Sequence, residues 1–518
     1  MNRVPWLTLM IVLPIGGAML LQLVPARMTS VIRGVTVVFA TAVTCIAGGL
    51  LFNLPHMAAS GTQPLSLAFQ EQRDWIPAIS ASYHLGLDGL SGWLVMLNSG
   101  LFLVAALAVS RSDAERLRRY CALMLVSEGA IAGTLLAADL LLFYLFWEGM
   151  LIPLYFILSG FGGPRRGQAT LKFIVYTIAG SLLMLVAILW LYFASGAHSF
   201  DLESLIINPP PAQSVMVIPG INVSTFTPQD LVFIGFAIAF AIKLPLVPFH
   251  TWLPELYVQS PATTLVFFAG IVGKMGAYGF IRYGLTLFPS SINTFKWLFA
   301  ALAVTGIIYG ALMALSERDI KRILAYASLS HLGFIALGIF TLTTNGISGA
   351  IIQMVNHGII IAALFLIAGY IERRTGTRDL SEMAGLEKRM PWLYVLFLVA
   401  TLASLGMPGT NSFVGEFAVM LGAFQLGWPL AVVALGGTVI ACWYMLRLHQ
   451  GLMHDPLKPA TEHVHDIRLS EGLVLAPLVA LIILLGVFPK PVGDIASPAA
   501  SQYVSLASQP VAPPSFGT

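Results

Sequence analysis

An all-α polytopic membrane fold is predicted by three observations. The chain is 57% hydrophobic and only 10% charged over 518 residues, its apolar runs recur at membrane length, and its basic residues alternate between successive connections. About 20 apolar residues cross a bilayer, which gives about fourteen spans. They are predicted at residues 5–25, 31–53, 85–109, 119–137, 139–159, 169–195, 229–254, 261–286, 294–315, 321–343, 346–371, 391–423, 428–449 and 469–489.

The first run follows a single basic residue, Arg3, and no small-residue cleavage site with a polar start succeeds it, so it reads as a first membrane helix. Twenty Arg and Lys fall in odd-numbered connections, five fall in even-numbered connections or at the ends, and Lys243 and Lys274 lie inside spans. That skew predicts odd connections in the cytoplasm and both termini outside, which requires an even number of spans. Arg282 is counted here with the outer connections. Residues 54–83 and 196–227 read as polar outer loops, and 491–518, rich in Pro, Ser and Ala, as an extended tail.

Scattered basic residues leave no stripe for nucleic acid. Cys45, Cys121 and Cys442 lie singly in separate apolar segments, which speaks against iron–sulfur ligation, structural zinc or a disulfide framework. His449, His454, His463 and His465 read as a solvated cytoplasmic loop, because their spacing is too loose for a metal site. Phosphate-binding, nucleophile-elbow and zinc-protease motifs are absent from matching contexts.

The chemistry centres on residues 230–283, where consecutive spans carry Lys243 and Lys274. A charge at mid-bilayer costs about 3 kcal/mol on insertion scales, so two of them call for a purpose, and proton conduction is the first to test. Pro245 and Pro248 lack the N–H groups that would bond the Ala241 and Leu244 carbonyls, predicting a broken helix with free acceptors beside Lys243. Irregular backbone at membrane depth belongs in protein or against a wet cavity. Lys243 and His250, seven residues apart, share a face if the helix continues. A second break falls at Pro408, with Glu416 two turns later, and the two interrupted helices point to inverted repeats around a midplane site.

Glu148, flanked by apolar turns, reads as the counter-ion of Lys243; the bland alternative is a neutral acid bonded to a neighbouring helix. Two charges about 7 Å apart at an effective dielectric of about 20 interact by roughly 2.4 kcal/mol, enough to couple their protonation. Snorkelling is the alternative for Lys274, whose position is too central for it. His250, His331 and His357, with Ser328 one turn from His331, read as a relay when taken with the lysines and acids, although a lone membrane histidine is often only an interhelical donor. Glu128, between Ser127 and Gly129, is open between relay and helix packing.

The stretches LLLFYLFWEGMLIPLYF, FAIKLPLVPFHTWLP, AGIVGKMGAYGFIRY, DIKRILAYASLSHLGF, QMVNHGII and LGMPGTNSFVGEF resemble, in order, motifs of the antiporter-like membrane subunits of respiratory complex I, most closely the chain M type. The similarity runs from about Gly86 to Arg447. It implies fourteen helices, broken at 7 and 12, with two inverted five-helix repeats: 1–110 holds three helices and an outer loop, 119–286 helices 4–8, 294–449 helices 9–13, and 450–518 a loop, the last helix and a tail.

By matching motif, the resemblance implies that Glu148 and Lys243 are the paired charges of the first half, Lys274 the central lysine, Glu416 the outlet acid, and His331 and His357 members of the connecting axis. Glu416 is characteristic of the M type, since sister subunits and many Mrp chains carry lysine there. The resemblance further implies a proton-translocating NADH:quinone oxidoreductase subunit, and the excess of Arg over Lys, 19 to 8, fits a bacterial gene and so a bacterial inner membrane. It would have no cofactor or metal of its own, with flavin, iron–sulfur clusters and quinone in partner subunits, and its partners would be other membrane subunits and lipid. A Mrp-type antiporter, a membrane-bound hydrogenase or ferredoxin-linked complex, and a structural scaffold are the alternatives. One stretch departs: after HTWLP the family commonly reads acid-Ala-His, and here it is Glu255, Leu256 and Tyr257. That departure is expected to alter loop contacts and to leave the buried charges untouched.

Overall fold

The computed structural model describes residues 4–57, 65–109, 114–210 and 227–508. Arg3, Arg111 and most of the predicted outer loop after residue 210 lie outside them. Twelve helices among the described residues are long and apolar enough to cross a membrane.

The helices run α1 (Trp6–Leu23), α2 (Thr29–Met57), α3 (Gly89–Ala108), α4 (Ala114–Leu136), α5 (Leu140–Phe161) and α6 (Arg166–Ala194), then a short surface helix α7 (Leu202–Ile207). The predicted seventh span is split into α8 (Pro228–Lys243) and α9 (Trp252–Gln259). Next come α10 (Ala262–Leu287), α11 (Pro289–Ser316), α12 (Ile320–Phe340) and α13 (Thr344–Thr375). The predicted twelfth span is split into α14 (Pro391–Ser404) and α15 (Asn411–Leu426), and α16 (Trp428–Met453), α17 (Leu469–Val487) and α18 (Lys490–Ala507) follow. Both breaks fall where proline removes helical N–H groups.

Three helices, α10, α12 and α13, are buried along the whole of their most apolar window, whereas only 28% of that window is buried in α2 and in α16. The molecule is therefore a bundle with a wholly enclosed central row. Gly276 fixes one critical approach: a Cβ there would meet the Phe240 carbonyl at 2.4 Å and the Leu244 nitrogen at 2.6 Å, so only glycine lets the end of α8 press against α10. An aromatic cluster that includes Phe240, Phe280, Phe299 and Phe340 closes this contact, with Phe299 and Phe340 stacked at 4.7 Å.

Three expectations about segments predicted to lie outside are corrected. The predicted loop at 54–83 contains a strand, β1 (Ala68–Ile76), paired antiparallel with β2 (Ala81–Leu87), which also takes the first residues of the predicted third span. Glu71 from this hairpin caps α1, accepting from the Leu7 and Thr8 amides at 2.7 and 3.0 Å, where exposed N–H groups favour a carboxylate. The predicted tail is helical as far as Ala507: Val492, Ala496, Ala499, Ala500, Tyr503 and Leu506 form one buried stripe at helical spacing.

That C-terminal helix is bolted to the start of α3. Asp88 caps α3 through Ser91, and it also receives Arg282 at 3.0 and 2.9 Å and the Tyr503 hydroxyl at 2.7 Å. Arg282, predicted in an outer connection, is instead wholly buried inside α10. The pair satisfies both charges in a bidentate geometry, as burial requires.

Candidate functional site

Lys243 is the last residue of α8 and is 1% exposed. Its Nζ has no hydrogen-bond partner, and it lies 4.9 Å from the Trp147 ring centroid and 5.7 Å from that of Phe173. Aromatic faces stabilise a cation without taking its proton. Glu148, next to Trp147, is half-buried with Oε1 also unpartnered. The two charges interact electrostatically without a direct bond. Such an arrangement responds to a small movement or a single inserted water.

The backbone around Lys243 differs from expectation in one respect. The Ala241 carbonyl is not free, because the Leu246 amide reaches it at 2.9 Å across the break. The Ile242 carbonyl is taken by the Trp252 indole at 3.0 Å. Because α8 ends at Lys243, His250 is not aligned with it along a helix; the His250 ring instead packs 4.9 Å from Tyr309, with Nδ1 buried and unpartnered.

Lys274 is fully buried and donates to the Ala269 carbonyl at 2.7 Å, which excludes snorkelling. Ala269 lies in a widened π turn, Phe268–Val272, and a second π turn, Phe280–Gly284, follows on the same helix. Such turns expose backbone acceptors and recur at functional sites. Lys274 lies within electrostatic reach of His357, whose two ring nitrogens are both buried and unpartnered. The His357 ring stands 5.5 Å from that of His331.

His331 ends the row against an acid. Its Nδ1 is 2.9 Å from Glu416 Oε1, and its Nε2 is 3.4 Å from the Ser404 hydroxyl at the end of α14. The Gln353 amide and the Ser412 hydroxyl also donate to Glu416 Oε1, at 3.1 and 3.0 Å. The break at Pro408 makes room: Gly406 has φ +68°, and a Cβ there would stand 2.8 Å from Glu416 Oε2.

Lys274, His357, His331 and Glu416 thus form one buried row across α10, α13, α12 and α15. Lys243 approaches it through the α8–α10 contact at Gly276. Ser328, one turn before His331, is buried with an unpartnered hydroxyl near Tyr257. Glu128 in α4 is fully buried with both oxygens unpartnered, and the Asn98 amide holds only its backbone carbonyl, at 3.3 Å.

Sequence reading missed three features. Gln353 and Ser412 each lie one turn from a named residue, His357 and Glu416, and that i, i+4 spacing was the available signal. Tyr257, in the stretch that departs from the family pattern, is not a loop residue: it is buried, packed on Phe268 and Phe365, and reaches the helix that carries His331. His449 is likewise 3% exposed inside α16, not in a solvated loop. Among the described residues no group of three or more His, Cys, Asp or Glu could hold a metal ion.

The enclosed row of ionisable groups, flanked by two interrupted helices, defines an antiporter-like membrane subunit. Residues 137–441 match the family described as NADH:quinone oxidoreductase/Mrp antiporter, TM. The chain belongs to that family. It is 36% identical over 544 residues to NADH-quinone oxidoreductase subunit M of Mycobacterium tuberculosis, covering 98% of this chain and 96% of the relative. It is similar to a chain of respiratory complex I from Thermus thermophilus with bound NADH, with a TM-score of 0.86 and 31% identity, over 97% of this chain and 100% of that one. A chain of the Mrp complex from Dietzia shares the fold, with a TM-score of 0.82 at 22% identity, over 98% of this chain and 100% of that one.

Proposed function

We propose that this chain is the M-type proton-translocating subunit of a complex I type NADH:quinone oxidoreductase. The observation that carries the reading is the buried row itself, from Lys274 through His357 and His331, on three helices buried along their whole apolar windows, to Glu416, 3% exposed on α15. Ionisable groups are retained at such depth when they pass charge. The identity to subunit M of Mycobacterium tuberculosis over nearly the whole of both chains supports the M assignment over the Mrp one.

In this reading, redox energy released in partner subunits, which hold the flavin, iron–sulfur clusters and quinone site, reaches the chain as a change at the Glu148 and Lys243 pair. Lys243 then gives or takes a proton through water, Lys274 and the histidines hand it on, and Glu416 releases it. His250, Ser328 and Glu128 serve as side stations with unpartnered polar atoms that water can join. Residues 119–286 and 294–449 act as two inverted repeats whose broken helices, at Pro245/Pro248 and at Pro408, correspond. The chain sits in a bacterial inner membrane with both termini outside, beside sister antiporter-like subunits.

The test is Lys243→Ala and Glu148→Ala in the assembled complex, read as NADH-driven proton uptake into inside-out vesicles. Coupled pumping is lost while co-purification of the other subunits persists. Normal pumping in an assembled variant would overturn the assignment.

A further inference from the structure

The row above leaves one set of buried polar atoms unused. Where α14 packs on α16, His449 Nδ1 and Nε2 and the Thr401 hydroxyl are buried without a hydrogen-bond partner; the Tyr444 hydroxyl, on the adjoining face of α16, is also buried and unpartnered. Each such atom costs about 1–3 kcal/mol unless water satisfies it. Three in one seam between two packed helices mark a place where water stands.

The seam has two defined ends. On α14, Tyr394, Phe397, Thr401 and Ser404 follow helical spacing along one face. The His449 ring packs 5.5 Å from Tyr394 and 5.0 Å from Phe397, so it faces the first turns of α14. Tyr444, about 7.5 Å further along α16, is close enough to Glu416 to sense its charge. Ser404 closes the inner end through His331, 3.4 Å away. At its solvent-exposed end the His454 ring stands 5.5 Å from that of His449, and His454 Nδ1 is 2.7 Å from Glu387 Oε2, with side chains 41% and 33% exposed.

We infer that the α14–α16 seam is a second, water-bearing proton route, with His449 as its relay, joining the aqueous side that carries His454 and Glu387 to the Glu416 and His331 pair. An imidazole passes a proton by accepting at one nitrogen and releasing from the other. Both His449 nitrogens are free of protein partners, so no existing bond has to break. A proton taken from water at the His454 and Glu387 mouth reaches Glu416 without passing Lys243 or Lys274. The inference rests on the proposed function for what the route is used for, but the presence of water in the seam can be read separately.

The experiment uses the assembled complex in inside-out membrane vesicles, with Cys45, Cys121 and Cys442 replaced by alanine and Thr401→Cys introduced. A membrane-impermeant, charged thiosulfonate reagent is applied to the face that carries residue 454. Labelling of residue 401 from that face is the expected result, and adding His449→Phe, which fills the seam with a ring that cannot take a proton, abolishes labelling and lowers protons pumped per electron. No labelling, or labelling only from the opposite face, overturns the route. So does unchanged pumping in a labelled, assembled His449→Phe complex. Should Thr401→Cys not assemble, Phe397→Cys, one turn nearer the mouth, is read in the same way. If pumping by the unsubstituted complex does not depend on Glu148 or Lys243, the proposed function fails while labelling still decides whether the seam is wet.

Discussion

Lys274 donates a 2.7 Å hydrogen bond to the carbonyl of Ala269, five residues earlier on its own helix. The widened turn at Phe268–Val272 and the ammonium answer each other, since the π turn offers an acceptor and the lysine would otherwise be a buried donor without one. A single backbone oxygen is also a weak hold. It leaves the other ammonium hydrogens for water on the side of His357, the next group in the row.

Lys274→Met tests that hold. The substitution keeps length and apolar stem while removing charge and donor, so it exchanges a costly buried ammonium for one orphaned carbonyl, each with a cost of a few kcal/mol of opposite effect. The expected outcome is an assembled complex of near-normal thermal stability that has lost proton pumping. Lys274→Arg does not rescue it, because a planar guanidinium needs room that this fully buried site lacks. Parallel measurement of melting temperature and proton uptake separates transport from folding.

Breaking the Asp88–Arg282–Tyr503 bolt should have the opposite profile. Arg282→Ala leaves Asp88 buried and unpaired, and removal of one partner of a buried ion pair costs about 3–5 kcal/mol. Tyr503→Phe removes one hydrogen bond to the carboxylate, at about 1.5–3 kcal/mol. The first variant is expected to lower the yield of assembled complex sharply. The second is expected to lower its melting temperature while pumping by the surviving fraction stays normal. A pumping defect in assembled Tyr503→Phe complex would show that the C-terminal helix does more than brace α3 and α10.

The spans and the buried lysines were legible in the sequence because a membrane leaves a one-dimensional record. Lys274 stands out in an apolar run, and Pro245 and Pro408 mark the broken helices by the N–H groups they lack. What was illegible depends on neighbours from distant parts of the chain. Arg282 near the end of a span reads as an outer-side arginine, and only Asp88, 194 positions away in sequence, makes it a core residue. The helix α18 was hidden by Pro498 and its small residues, whose apolar stripe becomes meaningful only against α3: a Cβ at Gly89 would meet the Ile495 carbonyl at 2.6 Å. The hairpin was hidden because β1 is polar from Gln70 to Asp74 and β2 runs into the apolar stretch read as the third span, and His449 because its loop-like companions suggested solvent. In the row itself, the lysines, histidines and Glu416 were nameable from residue type, while Gln353 and Ser412 became visible only where α13 and α15 meet.

Acid should loosen the tie between the hairpin and α7 through Asp201. The His84 ring lies 2.6 Å from its Oδ2, and the Ser204 amide donates to Oδ1 at 3.0 Å. Burial pushes this carboxyl up, but the His84 and Ser204 bonds outweigh it and hold Asp201 below the usual carboxylate range. A carboxyl held lower in the folded than in the unfolded chain contributes stability that is fully present above the unfolded value, about 3.9. That contribution is lost as pH falls through the folded value. His84 lies on β2 and Asp201 caps α7, so the contact ties the hairpin to the segment after α6. Asp201→Asn is therefore expected to increase pepsin cleavage within 68–87 at pH values just above about 4. The difference from the unsubstituted protein should shrink as the medium becomes more acidic and Asp201 itself protonates. Equal cleavage of the two proteins at the upper end of that range would show that the His84 contact does not hold the hairpin.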